Sequence, residues 1–186
     1  MSISALLASH SAELGDLTQE QIERFSRHWD LLLSWNRKIN LTRIVDPEEA
    51  VLRHFGESIF LARHLTAGKI ADIGSGAGFP GIPAAIIRPD CQVDLVESVL
   101  KKAAFLHEAS RGLPNARVTA QRAQQIKNSY DWVISRAVDP REVLALRIAP
   151  KTALLVSRAD AERLAEAKTI HPLPWDRNRV LVVCFT

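Results

Sequence analysis

The sequence predicts an α/β fold, with a helical amino-terminal section followed by a doubly wound, mostly parallel sheet and a terminal β-hairpin. Three observations predict it. Apolar residues recur at helical spacing through the first third of the 186-residue chain. From residue 67, short apolar runs alternate with helical segments. Four of the eight glycines fall within eight residues, directly after the first of those runs. Strands alternating with helices imply right-handed crossovers and a parallel sheet covered on both faces.

Each element has a local signal. Thr18 with Gln21 makes a capping box, in which a hydroxyl and an amide satisfy free N–H groups at a helix start. Ile22, Phe25, Trp29, Leu32 and Leu33 then repeat at helical spacing to about Asn36. Asp46-Pro47-Glu48-Glu49 is a second start: Asp caps, Pro suits the first helical position, and the two Glu favour the positive end of the helix dipole. Val51, Phe55, Ile59 and Leu61 carry that helix to about His64. Residues 1–66 are expected to form a helical cap and residues 67–186 the α/β domain, the two making one compact unit. Strands are expected over 69–73, 92–97, 116–120, 132–135 and 153–157, and helices over 82–88, 100–111, 122–127, 140–148 and 160–168. The tail reads as a hairpin, with arms over 171–174 and 180–185 around a turn at Trp175-Asp176-Arg177-Asn178.

Composition narrows the classes. Hydrophobic residues at 47% and charged residues at 24% exclude disorder as the dominant state. The longest uncharged stretch, residues 73–87, holds four glycines and two prolines, so it is not a membrane span. The first fifteen residues carry Glu13 and neither Lys nor Arg, so no secretory signal is expected. Cys91 and Cys184 suit neither a disulfide framework nor metal spacing; they read as small core residues in a reducing cytoplasm. Residues 1–66 hold 7 Lys/Arg against 9 Asp/Glu, and residues 67–186 hold 17 against 12. The carboxy-terminal two-thirds is therefore the part expected to meet a polyanion.

The glycine-rich run is Gly74-Ser75-Gly76-Ala77-Gly78-Phe79-Pro80-Gly81. It sits beyond the first strand, where open α/β sheets bind ligands, and glycine lets a ligand approach the backbone closely. Gly76, Gly78 and Gly81 satisfy GxGxxG and admit a dinucleotide. The string from Asp72 to Gly78 fits equally the acidic-x-Gly-x-Gly loop that holds the amino-acid end of S-adenosyl-L-methionine. A Walker loop is excluded, because no Gly-Lys-Ser/Thr follows. Glu97, 23 residues beyond Gly74, is placed to accept hydrogen bonds from two ribose hydroxyls. That supports an adenosine ligand without choosing between the two.

With these residues assembled, the chain resembles the RsmG/GidB family of bacterial ribosomal RNA small subunit methyltransferases. Trp35-Asn36-Arg37-Lys38-Ile39-Asn40-Leu41-Thr42 is similar to the family's WNxKxNLT segment, and His54-Phe55-Gly56-Glu57-Ser58 to its HfxDS segment, with Glu57 for the usual Asp. GSGAGFPGIP from Gly74 to Pro83 is nearly the family's glycine loop. Residues 97–106 resemble [DE]SxxKKxxFL, Arg122-Ala123-Gln124 resembles RAE, and Ser135-Arg136-Ala137-Val138 is SRAV. The resemblance implies a seven-stranded Rossmann-like class I methyltransferase sheet, mostly parallel. It also implies transfer of methyl from S-adenosyl-L-methionine to the N7 of one guanine in 16S ribosomal RNA, either naked or in a 30S particle. By resemblance Gly74, Gly76, Gly78, Phe79, Glu97, Ala123, Gln124 and Arg136 bind the cofactor, with Ala123 and Gln124 beside its adenine and Arg136 near its methionine end or the target base. Gln124 in place of Glu weakens any contact that needs a carboxylate, and Ser157-Arg158 stands where Lys-Gly is usual.

The chemistry implied needs no general base, because guanine N7 already carries an exposed lone pair; alignment of the reactants supplies the acceleration. No Ser/His/Asp set, paired-carboxylate site or metal cluster is found to argue otherwise. Arg136 is the preferred functional arginine, able to pair with a carboxylate or to donate to guanine O6. Arg37, Lys38, Lys101 and Lys102 are candidate contacts to RNA phosphates, with Arg43 beside them. His54 reads as a hydrogen-bonded histidine between helix and sheet, Trp29 and Trp35 as packing residues, and Asn36 and Asn40 as braces for the loop after the first long helix. A cytoplasmic monomer without metal or membrane is expected. Two other readings stay open here: an NAD(P)-dependent oxidoreductase, which predicts a second nucleotide-binding half, and a non-catalytic adenosyl-ligand-binding protein.

Overall fold

A computed structural model describes residues 1–165 and 168–185. The chain opens with two short helices, α1 (Ile3–Ser9) and α2 (Ser11–Leu14). Sequence reasoning had not singled them out, although Ile3, Leu6, Leu7 and Leu14 repeat at helical spacing and all four are buried. α3 (Gln19–Asn36) has both halves of the capping box: Thr18 Oγ1 accepts from Gln21 N–H, and Gln21 Oε1 accepts from Thr18 N–H. α4 (Pro47–Ala50) is capped by Asp46 and runs through a π-helical stretch, Val51–Gly56, into α5 (Glu57–Arg63). The widened turn buries His54, Phe55 and Gly56 in succession, which a regular α-helix facing one way does not do.

The sheet comprises β1 (Lys69–Ile73), β2 (Gln92–Val96), β3 (Ala116–Thr119), β4 (Trp132–Arg136), β5 (Lys151–Ser157), β6 (Lys168–Leu173) and β7 (Asp176–Phe185). Their order is β3-β2-β1-β4-β5-β7-β6, and β7 runs antiparallel between β5 and β6. The crossover helices are α6 (Gly81–Ile87), α7 (Leu100–Ala109), α8 (Pro140–Ala145) and α9 (Arg158–Glu162). This is the expected seven-stranded, mostly parallel sheet. A dinucleotide-binding sheet would continue from β5 with a parallel strand. The antiparallel hairpin stands there instead, so the oxidoreductase reading loses its topological requirement.

Strand side chains divide by period two into the two faces. Ile70, Leu95, Trp132, Ile134, Leu155 and Leu181 join a core with α1, α3, α5 and α6. Ala71, Ile73, Val133, Leu154, Val156 and Val182 face α8 and the residues around Ala161. Cys91 and Cys184 are both buried, as core residues.

Four local expectations change. The helix expected over 122–127 is a 3-10 turn, Ala123–Gln125. The helix over 140–148 ends at Ala145. The helix expected over 160–168 lies earlier, as α9, because Ser157 accepts from Asp160 N–H and starts it; Lys168 already belongs to β6, and residues 166 and 167 lie outside the described residues. The hairpin turns at Pro174-Trp175, since Leu173 pairs directly with Asp176. Among the described residues, no helix is long and apolar enough to cross a membrane.

Candidate ligand site at the carboxyl edge of the sheet

The glycine run leaves β1 at its carboxyl end and turns into α6. Gly74 and Gly76 have φ of +70° and +55°, a region that strains residues with a Cβ. A Cβ on Gly74 would lie 2.5 Å from Val138 Cγ2, so the loop after β4 closes against this glycine. A Cβ on Gly76 would meet only Gly74 O, at 3.7 Å, and would otherwise enter open space. Gly78 serves packing instead: a Cβ there would meet Ile82 and His28. The Val138 side owes its approach to Ala137, a non-glycine residue at φ +66°, and to Ser135, whose hydroxyl donates to Ile73 O at 2.7 Å.

The loop borders a cavity of about 330 Å³ lined by Thr42, Gly74, Gly76, Phe79, Glu97 and Arg136, among others. Glu97 is buried; Gly76 N–H donates to its Oε2 at 3.0 Å and Val99 N–H to its Oε1 at 2.8 Å. A carboxylate has about four acceptor positions, so each oxygen keeps capacity for another donor. Asp72 lies behind the loop. Its Oδ2 accepts from Gly81 N–H at 3.0 Å, its Oδ1 has no partner among the described residues, and burial raises its pKa to about 7.

The cap contributes the opposite wall. Asn36 braces the loop after α3 as expected: Oδ1 accepts from Leu41 and Thr42 N–H, and Nδ2 donates to Thr42 O. His54 is buried, stacks on Phe79 at 4.4 Å with 9° between the rings, and bonds Thr42 Oγ1 at 2.9 Å. Burial, with Arg136 adding to it, lowers its pKa to about 2. His28 carries its proton on Nε2, which donates to Ala77 O; burial lowers its pKa to about 4.

Arg136 is committed to the protein itself. Its guanidinium donates to Arg53 O and to His54 Nδ1, and lies 3.7 Å from Glu57 Oε2. Glu57 is fully buried and also pairs through both oxygens with Arg179, at 2.7 and 2.9 Å, and with Arg53 at 3.4 Å. Sequence reasoning noted Glu57 only as a departure and missed Arg179. An arginine directly before the apolar run 180–185 was the one available signal. Arg136, Ala137 and Val138 also line an adjoining cavity of about 450 Å³, with Arg53, Glu57 and Arg179.

The other expected residues divide. Lys102, expected to face RNA, is half-buried and lines the smaller cavity; Lys101, Arg37 and Lys38 are exposed and do not line it. Ala123 and Gln124 lie outside its lining, and Gln124 is exposed. Arg158 donates to Arg177 O at the base of the hairpin, so it does not occupy the cavity in place of a lysine. Trp29 is buried packing, and Trp35 packs while its Nε1 donates to Glu108. Among the described residues, no group of three His, Cys, Asp or Glu side chains is placed to hold a metal ion.

Residues 21–169 match the GidB family model, described as rRNA small subunit methyltransferase G. The chain belongs to this family. Two curated relatives, both named ribosomal RNA small subunit methyltransferase G, are similar to it. One, from Desulforamulus reducens, is 40% identical over 75% of this chain and 62% of its own length. The other, from Nitrosomonas europaea, is 45% identical over 70% of this chain and 63% of its own. This GidB-family chain thus spans less than two thirds of the length of either. A solved SAM-dependent methyltransferase from Aquifex aeolicus shares the fold, with a TM-score of 0.57 at 15% identity, covering 75% of this chain and 93% of that one.

Proposed function

We propose that the chain transfers a methyl group from S-adenosyl-L-methionine to the N7 of a guanine in small-subunit ribosomal RNA. Family membership supports the reaction class, and one observation carries the cofactor: buried Glu97 keeps one acceptor position on each oxygen, beside the open space over Gly76. Two adjacent hydroxyls, as on a ribose, match that pair. Bound there, S-adenosyl-L-methionine would supply an activated methyl group. Gly74 and Gly76 would admit its amino-acid end to the backbone, Phe79 and Ala137 would wall it, and Lys102 would face it. Ala123 and Gln124 are proposed to flank the adenine at the rim.

The protein's own task is alignment. Guanine N7 needs no proton removed, and holding two reactants in line is worth roughly 7–11 kcal/mol. The cavity lined by Arg53, Arg136 and Arg179 is the proposed approach for the RNA, because guanidiniums suit phosphate oxygens; Glu57, Asp139 and Asp160 line it as well. Exposed Arg37, Lys38 and Lys101 are proposed as further phosphate contacts. The proposed setting is a cytoplasmic monomer acting on RNA or an assembled 30S particle. Neither the oxidoreductase nor the non-catalytic reading gains support from the topology or the family.

The test is to incubate the protein with labelled S-adenosyl-L-methionine and small-subunit particles from a strain lacking it, then map the modified base. Label at a guanine N7 is the expected result; calorimetric binding of NADH in place of S-adenosyl-L-methionine would overturn the proposal.

A further inference from the structure

The hydroxyl of Thr42 has its hydrogen-bond polarity imposed by the protein. Arg136 Nη2 lies 2.8 Å from His54 Nδ1. A guanidinium only donates, so Nδ1 accepts. Burial keeps the ring neutral, which leaves its single proton on Nε2. Nε2–H therefore donates to Thr42 Oγ1 at 2.9 Å, and Ile44 N–H donates to the same oxygen at 3.1 Å. A hydroxyl oxygen has two lone pairs, and both are used. Only the O–H remains, and no acceptor among the described residues takes it. Asn36 holds the Thr42 backbone at both its N–H and its C=O, each at 3.0 Å, so the hydroxyl is fixed at the cavity wall.

We infer that Thr42 is a donor-only hydroxyl that selects guanine over adenine by donating to O6, the atom beside the nitrogen that is methylated. The inference rests on the guanine-N7 reading above. Guanine presents two acceptors on this edge, N7 and O6; adenine presents N7 and an amino donor. A hydroxyl free to rotate would satisfy either base by donating or accepting. The Thr42 hydroxyl has no lone pair left for an amino group, so adenine would set donor against donor and leave both unsatisfied. Arg136, which the sequence put forward for this contact, acts instead through His54 as a positioning residue, because one terminal nitrogen of its guanidinium donates to Arg53 O and the other to His54 Nδ1.

The experiment compares wild type, Thr42→Ser and Thr42→Val on small-subunit particles carrying guanine or 2-aminopurine at the modified position. 2-Aminopurine keeps N7 and lacks O6. Thr42→Val should lose about tenfold more in kcat/KM on guanine than on 2-aminopurine, because the lost bonds to His54 and Ile44 weigh on both bases alike, and Thr42→Ser should restore the wild-type ratio. No loss on guanine, or the same loss on both bases, overturns the inference. A second arm needs no turnover: GMP and AMP are titrated into each protein in the presence of S-adenosylhomocysteine. Wild type should prefer GMP and Thr42→Val should not; equal affinities in wild type overturn the inference. Wild type that prefers GMP but methylates no guanine would remove the proposed reaction and still support the donor-only hydroxyl.

Discussion

At the scale of single residues, the site is a set of buried polar groups whose charge states the fold selects. Glu97→Ala removes an acceptor from both proposed ribose hydroxyls, and charged hydrogen bonds are worth about 1.5–3 kcal/mol. S-adenosyl-L-methionine affinity should fall about tenfold to a hundredfold by calorimetry, with folding retained; undiminished affinity would remove Glu97 from the ribose. His54 and Asp72 push stability in opposite directions with pH. His54 has a folded pKa of about 2, well below the ordinary 6.5. Between those values the unfolded chain binds the extra proton, so its contribution rises with pH up to about 6.5. Asp72, raised from 3.8 to about 7, holds its proton more tightly when folded, so its contribution falls as pH rises from about 4 to about 7. Urea denaturation between pH 4 and 7 should therefore show Asp72→Asn gaining on wild type as pH rises. A constant difference would show that Asp72 titrates alike in the folded and unfolded states.

At the scale of elements, the capping signals were the most legible part of the chain. Thr18-Gln21 and Asp46-Pro47 each satisfy a local donor that no distant residue can alter, and both helices start where those residues stand. Thr18→Ala should cost about 1 kcal/mol in chemical denaturation without changing ligand affinity. The π-helical stretch left no such mark, since its wide turn answers to what surrounds His54, Phe55 and Gly56 rather than to its own residues. α9 starts early because Ser157 caps it, and the end of α8 at Ala145 differs from the expected 148 for a separate reason. Apolar runs beyond a helix end were read as more helix, whereas Ile148 and Ala149 pack beside β5 as connecting chain.

For the whole molecule, the cap and the sheet are joined through Glu57. This buried carboxylate on α5 pairs with Arg179 of β7, Arg136 of β4 and Arg53 of the π-helical stretch. Removing one partner of a buried ion pair leaves charge uncompensated and costs about 3–5 kcal/mol. Glu57→Ala should lower the Tm steeply and reduce methyl transfer with it, because three guanidiniums lose their common anion beside the proposed RNA approach. A Tm close to wild type would mean that water replaces the carboxylate. Arg136→Ala should lower stability as well as turnover, since the same guanidinium holds Arg53 O and His54; loss of turnover with an unchanged Tm would show that these bonds add little to folding.

The sequence by itself determined the alternation of strands with helices beyond residue 67, the glycine turn and the carboxylate after β2, because these depend on spacing within a few residues and on the geometry of consecutive backbone. The motif matches carried the family. Only the tertiary structure decided what Arg136 touches, that Lys102 rather than Lys101 reaches the cavity, and that Thr42 is left with nothing but a proton to give. The environments of Arg136 and Thr42 depend on His54, Glu57 and Arg179, which lie far along the chain from Arg136. A buried charge takes whichever partner the packing brings within reach, and no local pattern records that choice.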